Sequence, residues 1–302
     1  MEIKVDYDII IQYEKNWYND IITYNQLIEL YNTLNDVNEK RILLDFKNVE
    51  FIAANIFAIF GGILESVVFK RKHTLSISNI HPKVKNVMQM NGLRKFFKWE
   101  KVNDVFNSTI EYRAFEATTE NLEEFEKYIV LNVFTLHKMP SMSDRVRETM
   151  IDNFLEMFNN VIDHSNSEKV FVCGQYFHKK GNLVLTIVDF GKTIRENVYE
   201  FLNNKDLPIN TLKWAIIPGN STKVTSAPGG LGFSLILDFI KLNKGAFTLI
   251  SDEECYEIKN DGKNRFTTIP QNFHGTIVTI VFNLRDDFSY ILSEEKESEI
   301  IF

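Results

Sequence analysis

Glu156-Met-Phe-Asn-Asn160-Val-Ile-Asp163-His164 closes a long run of helical apolar spacing. Two clusters follow it in order. Val188-Asp189-Phe190-Gly191 ends an apolar strand pattern, and Gly229-Gly230-Leu231-Gly232-Phe233-Ser234-Leu235 opens another helix. Each cluster alone is common in proteins. In this order they read as a nucleotide pocket, and the rest of the chain reads as what feeds or regulates it.

The chemistry of each cluster follows from residue type and spacing. From Arg145 onward, Val146, Met150, Phe154, Met157, Phe158 and Val161 form an apolar stripe at helical period. Glu156, Asn160 and Asp163 then fall in a row on one helix face. A carboxylate beside an amide in such a row can orient a water and ligate Mg²⁺ next to phosphates, although a solvated face has the same spacing. Asp189 ends the strand Asn182-Leu-Val-Leu-Thr-Ile-Val188. An ionised acceptor there can take a hydrogen bond from an exocyclic amine, and Gly191 would let a flat base approach the backbone; a plain Asp-x-Gly turn is the alternative. Pro218-Gly-Asn-Ser221-Thr222-Lys223 and Pro228-Gly229-Gly230-Leu231-Gly232 bracket a loop. Its glycine amides and the helix N-terminus after it suit phosphate, with Lys223 as a point charge, where the alternative is a helix-entry turn. Thr276, entering the strand Ile277–Phe282, offers a hydroxyl that can reach a base through water.

Composition narrows the class. The 302 residues suffice for two domains, and 44% hydrophobic with 25% charged residues is ordinary for a globular protein. A net charge of -7 argues against a nucleic-acid or membrane-surface binder. Ile52–Phe69, the most apolar run, is interrupted by Asn55, Gly61, Gly62 and Glu65. The opening Met-Glu-Ile-Lys-Val-Asp does not read as a signal peptide, and Cys173 and Cys255 form no disulfide framework or metal site, so a cytoplasmic location is expected.

The N-terminal part alternates strand and helix patterns. Ile3 to Ile11 alternate as a strand; Tyr24–Leu34 reads as a helix, Arg41–Phe46 as a buried strand, Ile52–Phe69 as a helix and Thr74–Ser78 as a strand. His81-Pro82 opens a helix that ends at Asn91-Gly92. Residues 106–118 add an edge strand, a helix runs from Thr119 to about His137, and Met139–Asp144 is a hinge in which Ser143 or Asp144 caps the next helix. The expected division is 1–112, a connecting helix and linker at 113–139, a nucleotide-binding unit at 140–288, and a solvated acidic tail at 289–302.

Two resemblances sharpen these expectations. Leu43-Leu44-Asp45-Phe46…Phe51-Ile52-Ala53-Ala54-Asn55, with Val84–Leu93 and Phe96-Phe97, resembles a STAS domain over about residues 38–105; a generic small α/β domain is the alternative. Phosphorylatable STAS members carry an Asp-Ser-Ser-type triplet where this chain has Ala53-Ala54-Asn55, so the resemblance implies a docking copy rather than a phospho-switch. The three ordered clusters, over about 140–285, resemble the GHKL ATPase family of type II topoisomerases, Hsp90, histidine kinases, MutL and anti-sigma serine kinases.

That resemblance implies a Bergerat α/β sandwich with helices on one face of a mixed sheet, binding ATP with Mg²⁺. Glu156 matches the general base, Asn160 the Mg²⁺ ligand, Asp189 the adenine-reading carboxylate, Gly229, Gly230 and Gly232 the ATP lid, and Thr276 the threonine behind adenine. Asp163, Gly191, Thr193, Ser221, Thr222, Lys223 and Leu231 complete the expected nucleotide contacts. The family's Asp-x-Gly-x-Gly is here Asp189-Phe-Gly191-Lys-Thr193, without its second glycine. Asp163-His164-Ser165 is closer to the kinase-like members than to the topoisomerases, and no transducer domain of the topoisomerase kind is expected after Phe282. His137 lacks the surroundings of a phosphoacceptor histidine, so autophosphorylation there is not expected. The expected function is an Mg-dependent ATPase or anti-sigma-type serine kinase in bacterial signalling or defence, with a separate STAS protein as partner and homodimerisation as in relatives. The alternative is an ATP-gated binding switch with little turnover.

Overall fold

The computed structural model describes residues 6–135, 139–203, 205, 207–217, 219–220, 222 and 233–298. It is of the α/β class. Strands β1 (Ile9–Gln12), β2 (Arg41–Asp45) and β3 (Thr74–Ser78) form a parallel three-stranded sheet in that order. Parallel neighbours need crossover segments, and these contain α1 (Ile21–Asn35) and α2 (Phe57–Ile63). α1 begins earlier than its apolar spacing implies because the Asp20 carboxylate accepts the Thr23 N–H at 2.9 Å and caps it. The helical pattern of 52–69 resolves into a 3₁₀ turn at Ala54–Ile56, α2, and a wider π-type turn at Leu64–Phe69. α3 (Pro82–Met90) carries proline in its first turn and ends at Asn91, before Gly92 at φ +87°; α4 (Arg94–Phe97) follows.

The remaining elements are β4 (Thr109–Glu116), α5 (Leu122–Ile129), β5 (Ser141–Met142), α6 (Asp144–Asn160), β6 (Lys169–Phe177), β7 (Asn182–Asp189), α7 (Ile194–Phe201), α8 (Thr211–Ala215), α9 (Ser234–Asn243), β8 (Ala246–Ile258), β9 (Asn264–Asn283), β10 (Ser289–Tyr290) and α10 (Ser293–Ser298). The larger sheet runs β4-β6-β7-β9-β8, and every neighbouring pair in it is antiparallel. The expected mixed sheet is thereby corrected. Short hairpin connections join β6 to β7 and β8 to β9, and a hairpin can only give antiparallel neighbours. The expected unit boundary after residue 112 falls inside β4, which pairs with β6 in this sheet.

Both faces of the larger sheet are covered, not one. Along β6, Val170 and Val172 face a core shared with α5, α6 and α9, whereas Phe171 and Cys173 face the core of the N-terminal unit. β7 and β9 divide likewise: Leu185, Ile187, Val278 and Ile280 point to the helices, and Val188 and Ile277 to the N-terminal unit. Burial on both faces explains why β7 reads as an almost continuous apolar run. α2 lies against this rear face and is buried at every residue, as a helix apolar all round must be. A Cβ on Gly61 would stand 2.4 Å from the Tyr112 ring, and one on Gly62 2.4 Å from the Phe190 ring. Glycine at these positions lets α2 approach the sheet so closely.

Several polar groups on the rear face are paired across it. Asn55 Nδ2 donates to Thr186 Oγ1 at 3.0 Å and to Asn19 Oδ1 at 3.2 Å. Thr186 and Thr279 hydroxyls lie 2.8 Å apart, and the Tyr24 hydroxyl bonds Thr279 at 3.0 Å and also Asn19. Ala54 N–H donates to Gln175 Oε1 at 2.8 Å, and the Cys173 thiol to Ala54 O at 3.1 Å. The Ala53-Ala54-Asn55 segment is therefore bonded to its own chain through the Ala54 amide and carbonyl and the Asn55 Nδ2, while Asn55 Oδ1 is buried without a hydrogen bond.

Ser143 caps α6, accepting the Val146 N–H at 3.2 Å and donating to Glu295 Oε2 at 2.7 Å. Glu295 also accepts the Leu292 N–H at 2.7 Å. This corrects the expectation of a solvated acidic segment: β10 pairs with β5, and the start of that segment returns to the α6 N-terminus. His137 lies outside the described residues.

Candidate functional site

At the C-terminal end of α6, between that helix, the β7 end and α7–α8, lies a cavity of about 150 Å³. A cavity of this size can hold an aromatic ring. Its polar lining includes Glu156, Asn160, His164, Asp189, Lys192 and Thr276, from parts of the sequence far from one another. Its apolar walls include Met157, Val161, Ile187, Trp214, Phe233 and Val278. Apolar walls with a few convergent polar groups are the usual anatomy of a small-molecule site.

α6 does not keep its pitch to the end. Val161–Ser165 widens into a π-type turn that ends at Asn166 with φ +56°. In that wider turn the fourth residue, rather than the third, comes closest to alignment with the start. Glu156 and Asn160 therefore continue to His164 along the cavity wall, while Asp163 is exposed and is not among the cavity-lining residues described. His164 and Ser165 are contributions that a regular helical count missed, and Asp163-His164-Ser165 was their only trace in the sequence.

Asp189 is the electrostatic centre. It is 3% exposed, and its Oδ1 accepts a short hydrogen bond from the Ser165 hydroxyl and the Gly191 N–H at 3.1 Å. Burial pushes its carboxyl pKa up to about 6, against the opposing pull of Ser165, Gly191 and Thr276. Thr276 is the direct cross-strand partner of Asp189 between β9 and β7. A Cβ on Gly191 would stand 2.0 Å from Ser165 Oγ and 2.1 Å from Ser165 O. That close approach requires glycine here, so Gly191 shapes the floor behind Asp189 and is not itself among the lining residues described.

Thr193, where the resembled pattern has glycine, serves helix α7. Its hydroxyl accepts the Glu196 N–H at 3.1 Å, and Glu196 Oε2 accepts the Thr193 N–H at 2.7 Å, forming a reciprocal capping box. Thr193 is buried and does not line the cavity among the described residues. The loss of the second glycine thus falls at a helix start.

The wall bearing Trp214 is anchored by a carboxylate that sequence spacing does not reveal. Glu254 on β8 accepts the Thr211 N–H at 3.1 Å, the Thr211 hydroxyl at 2.8 Å and the Leu212 N–H at 2.8 Å. Asn210 takes the Lys213 N–H at 2.7 Å, so the first three amides of α8 all have acceptors. Arg195 joins Glu254 at 3.0 Å and Asp252 at 2.7 Å. The charged cluster fixes α7 and α8 to β8, and with them Ile194, Val198 and Trp214 in the cavity wall.

Of the residues singled out in the sequence, Glu156, Asn160, Asp189, Thr222 and Thr276 come together on the cavity. Ser221, Lys223, Gly229, Gly230, Leu231 and Gly232 lie outside the described residues. No cluster of three or more His, Cys, Asp or Glu suited to a metal occurs among the described residues. No described helix is long and apolar enough to cross a membrane. Compared with protein-family models and with curated proteins, the chain matches none.

Proposed function

We propose that this cavity binds ATP and that the chain is an Mg²⁺-dependent ATPase or serine protein kinase of the GHKL class. The observation that carries the reading is the convergence of Glu156, Asn160, Asp189 and Thr276 on one cavity with apolar walls. In it Asp189 receives the exocyclic amine of adenine, with the Thr276 hydroxyl beside it. The ring lies among the apolar side chains, and the phosphates extend toward the α6 row. Glu156 takes the proton of the attacking water or serine hydroxyl.

The residues present fit Mg²⁺. This ion keeps most of its shell from water and phosphate oxygens and needs few protein ligands, so the single Asn160 amide oxygen suffices without a carboxylate cluster. Bound there, Mg²⁺ supplies neutralisation of phosphate charge. In the same reading the N-terminal unit is STAS-like, the phosphoacceptor serine belongs to a separate STAS protein, and two copies pair as GHKL relatives do. The setting is the cytoplasm, in bacterial signalling or defence.

One observation favours a second reading, an ATP-gated binding switch with little turnover. The N-terminal unit packs directly on the sheet whose strand β7 ends in Asp189, which gives a displacement at the cavity a packed route to that unit. Glu156→Ala separates the two. A catalyst loses phosphate release or transfer by about 10²–10⁴-fold while ATP still binds. A switch keeps its output in this variant.

A further inference from the structure

The residue between Asp189 and Gly191 faces the other way. Successive residues at a strand end point to opposite faces of the sheet, and Phe190 packs against the core of the N-terminal unit. Its ring lies 5.1 Å from that of Tyr31 on α1, 5.6 Å from Phe171 and 5.5 Å from Phe273. Gly62 on α2 closes the remaining side, since a Cβ there would come within 2.4 Å of the Phe190 ring.

We propose that Phe190 is a positioning residue through which the N-terminal unit sets the geometry of the Asp189–Gly191 loop, and so the ligand affinity of the cavity. The loop is already short of freedom on its cavity side. Lys192 N–H donates to Ser165 O, Gly191 N–H to Asp189 Oδ1, and Phe190 N–H to Ser167 Oγ at 3.3 Å. Gly275, at φ +133°, passes so close that a Cβ on it would stand 2.1 Å from Asp189 O. The aromatic clamp fixes the rear of the same three residues. A ring held by Tyr31, Phe171 and Phe273 cannot swing away from a new atom on α2 without moving the backbone that carries it. Packed interiors pass such displacements on rather than absorb them. The charge of Asp189 is also felt on this side: after burial, which raises the Tyr31 hydroxyl pKa, and Arg71, which lowers it, Asp189 adds to the rise.

The loop assignment stands without a nucleotide; the affinity part rests on the ATP reading. The test uses the full chain and two variants that press on the clamp from opposite sides, Gly62→Ala and Phe190→Leu. Tyr24→Phe serves as control, because it removes a hydrogen bond from the same interface at Thr279 without touching Phe190. Hydrogen exchange is followed in the peptide covering 189–193 without ligand, and ATP·Mg²⁺ affinity is titrated on the same samples. The proposal expects exchange in 189–193 to quicken about tenfold and affinity to fall about tenfold in both clamp variants, with the control like wild type. Unchanged exchange, equal acceleration in Tyr24→Phe, or faster exchange with undiminished ATP binding overturns it. Faster exchange in the clamp variants, when wild type itself binds no ATP, upholds the loop assignment and removes the ATP reading instead. If Gly62→Ala does not fold, Phe190→Leu decides by the same measurements; if Phe190→Leu alone also fails to fold, Phe190 is a core residue and the proposal falls.

Discussion

Asn55 and Thr186, 131 positions apart, share a 3.0 Å hydrogen bond in which Asn55 is 0% exposed. The bond ties the start of the buried α2 segment to the centre of the larger sheet. Its amide serves Thr186 and Asn19 together. Replacement by alanine would take that donor from the buried Thr186 hydroxyl and from the half-buried Asn19 amide oxygen. Asn55→Ala is expected to lower unfolding free energy by about 1–3 kcal/mol, measured by urea denaturation. A loss near zero would show that this bond adds nothing to the packing and the other hydrogen bonds that hold the two units together.

Asp189→Asn is expected to stabilise the protein at neutral pH. Burial raises the Asp189 pKa to about 6, so the folded state holds this proton more tightly than the unfolded chain does. The stabilisation from the group is whole below about pH 4 and is lost as pH climbs through about 6. At pH 7.5 wild type carries that ionisation cost and the isosteric amide does not. Thermal melts should place the variant on the order of 1–3 kcal/mol above wild type at pH 7.5, with the gap closing toward pH 4. A gap that widens on acidification would contradict the sign.

The same titration governs ligand affinity in the proposed mode. Protonation removes the charge of Asp189 and turns one of its acceptor oxygens into a donor, which weakens its hold on an incoming amine. ATP affinity should hold between pH 7 and 8 and fall below about pH 6, by up to about tenfold per pH unit. A flat profile from pH 8 to 5 would mean that the base does not meet this carboxylate.

Glu254→Gln tests the anchoring of α8. The substitution keeps the size of the side chain but removes the charge facing Arg195, and one of its two terminal atoms can no longer accept from α8. Because the carboxylate is buried and paired, the expected cost is about 3–5 kcal/mol. Trp214 emission should shift to the red as its helix loosens, with Trp214→Phe identifying its share of the signal. Unchanged emission in a folded variant would show that α8 is held from elsewhere.

What was legible in the sequence was local. Asp189 at a strand end, the α6 stripe and its Ser143 cap, the proline start of α3 and the Gly92 turn all follow from neighbours within a few residues, and the structure has them. The antiparallel order of the larger sheet depends on pairings such as Asp189 with Thr276, which no local pattern encodes. The coverage of both sheet faces was visible only as the even hydrophobicity of β7, which a strand buried by helices alone would share. His164 was displaced into the cavity by a π-type turn whose sequence differs little from an α-helix. Trp214 owes its place to Glu254, more than 30 residues away along the chain.

The central claim is that Asp189 reads a nucleotide base, and calorimetric titration of ATP with Mg²⁺ into wild type and Asp189→Asn tests it most directly. The amide keeps an oxygen for Ser165 and Gly191 but turns a donor toward the incoming amine. The account predicts saturable binding to wild type and a loss of roughly two orders of magnitude in the variant. Equal affinity in the two proteins, or no heat from wild type, would contradict it.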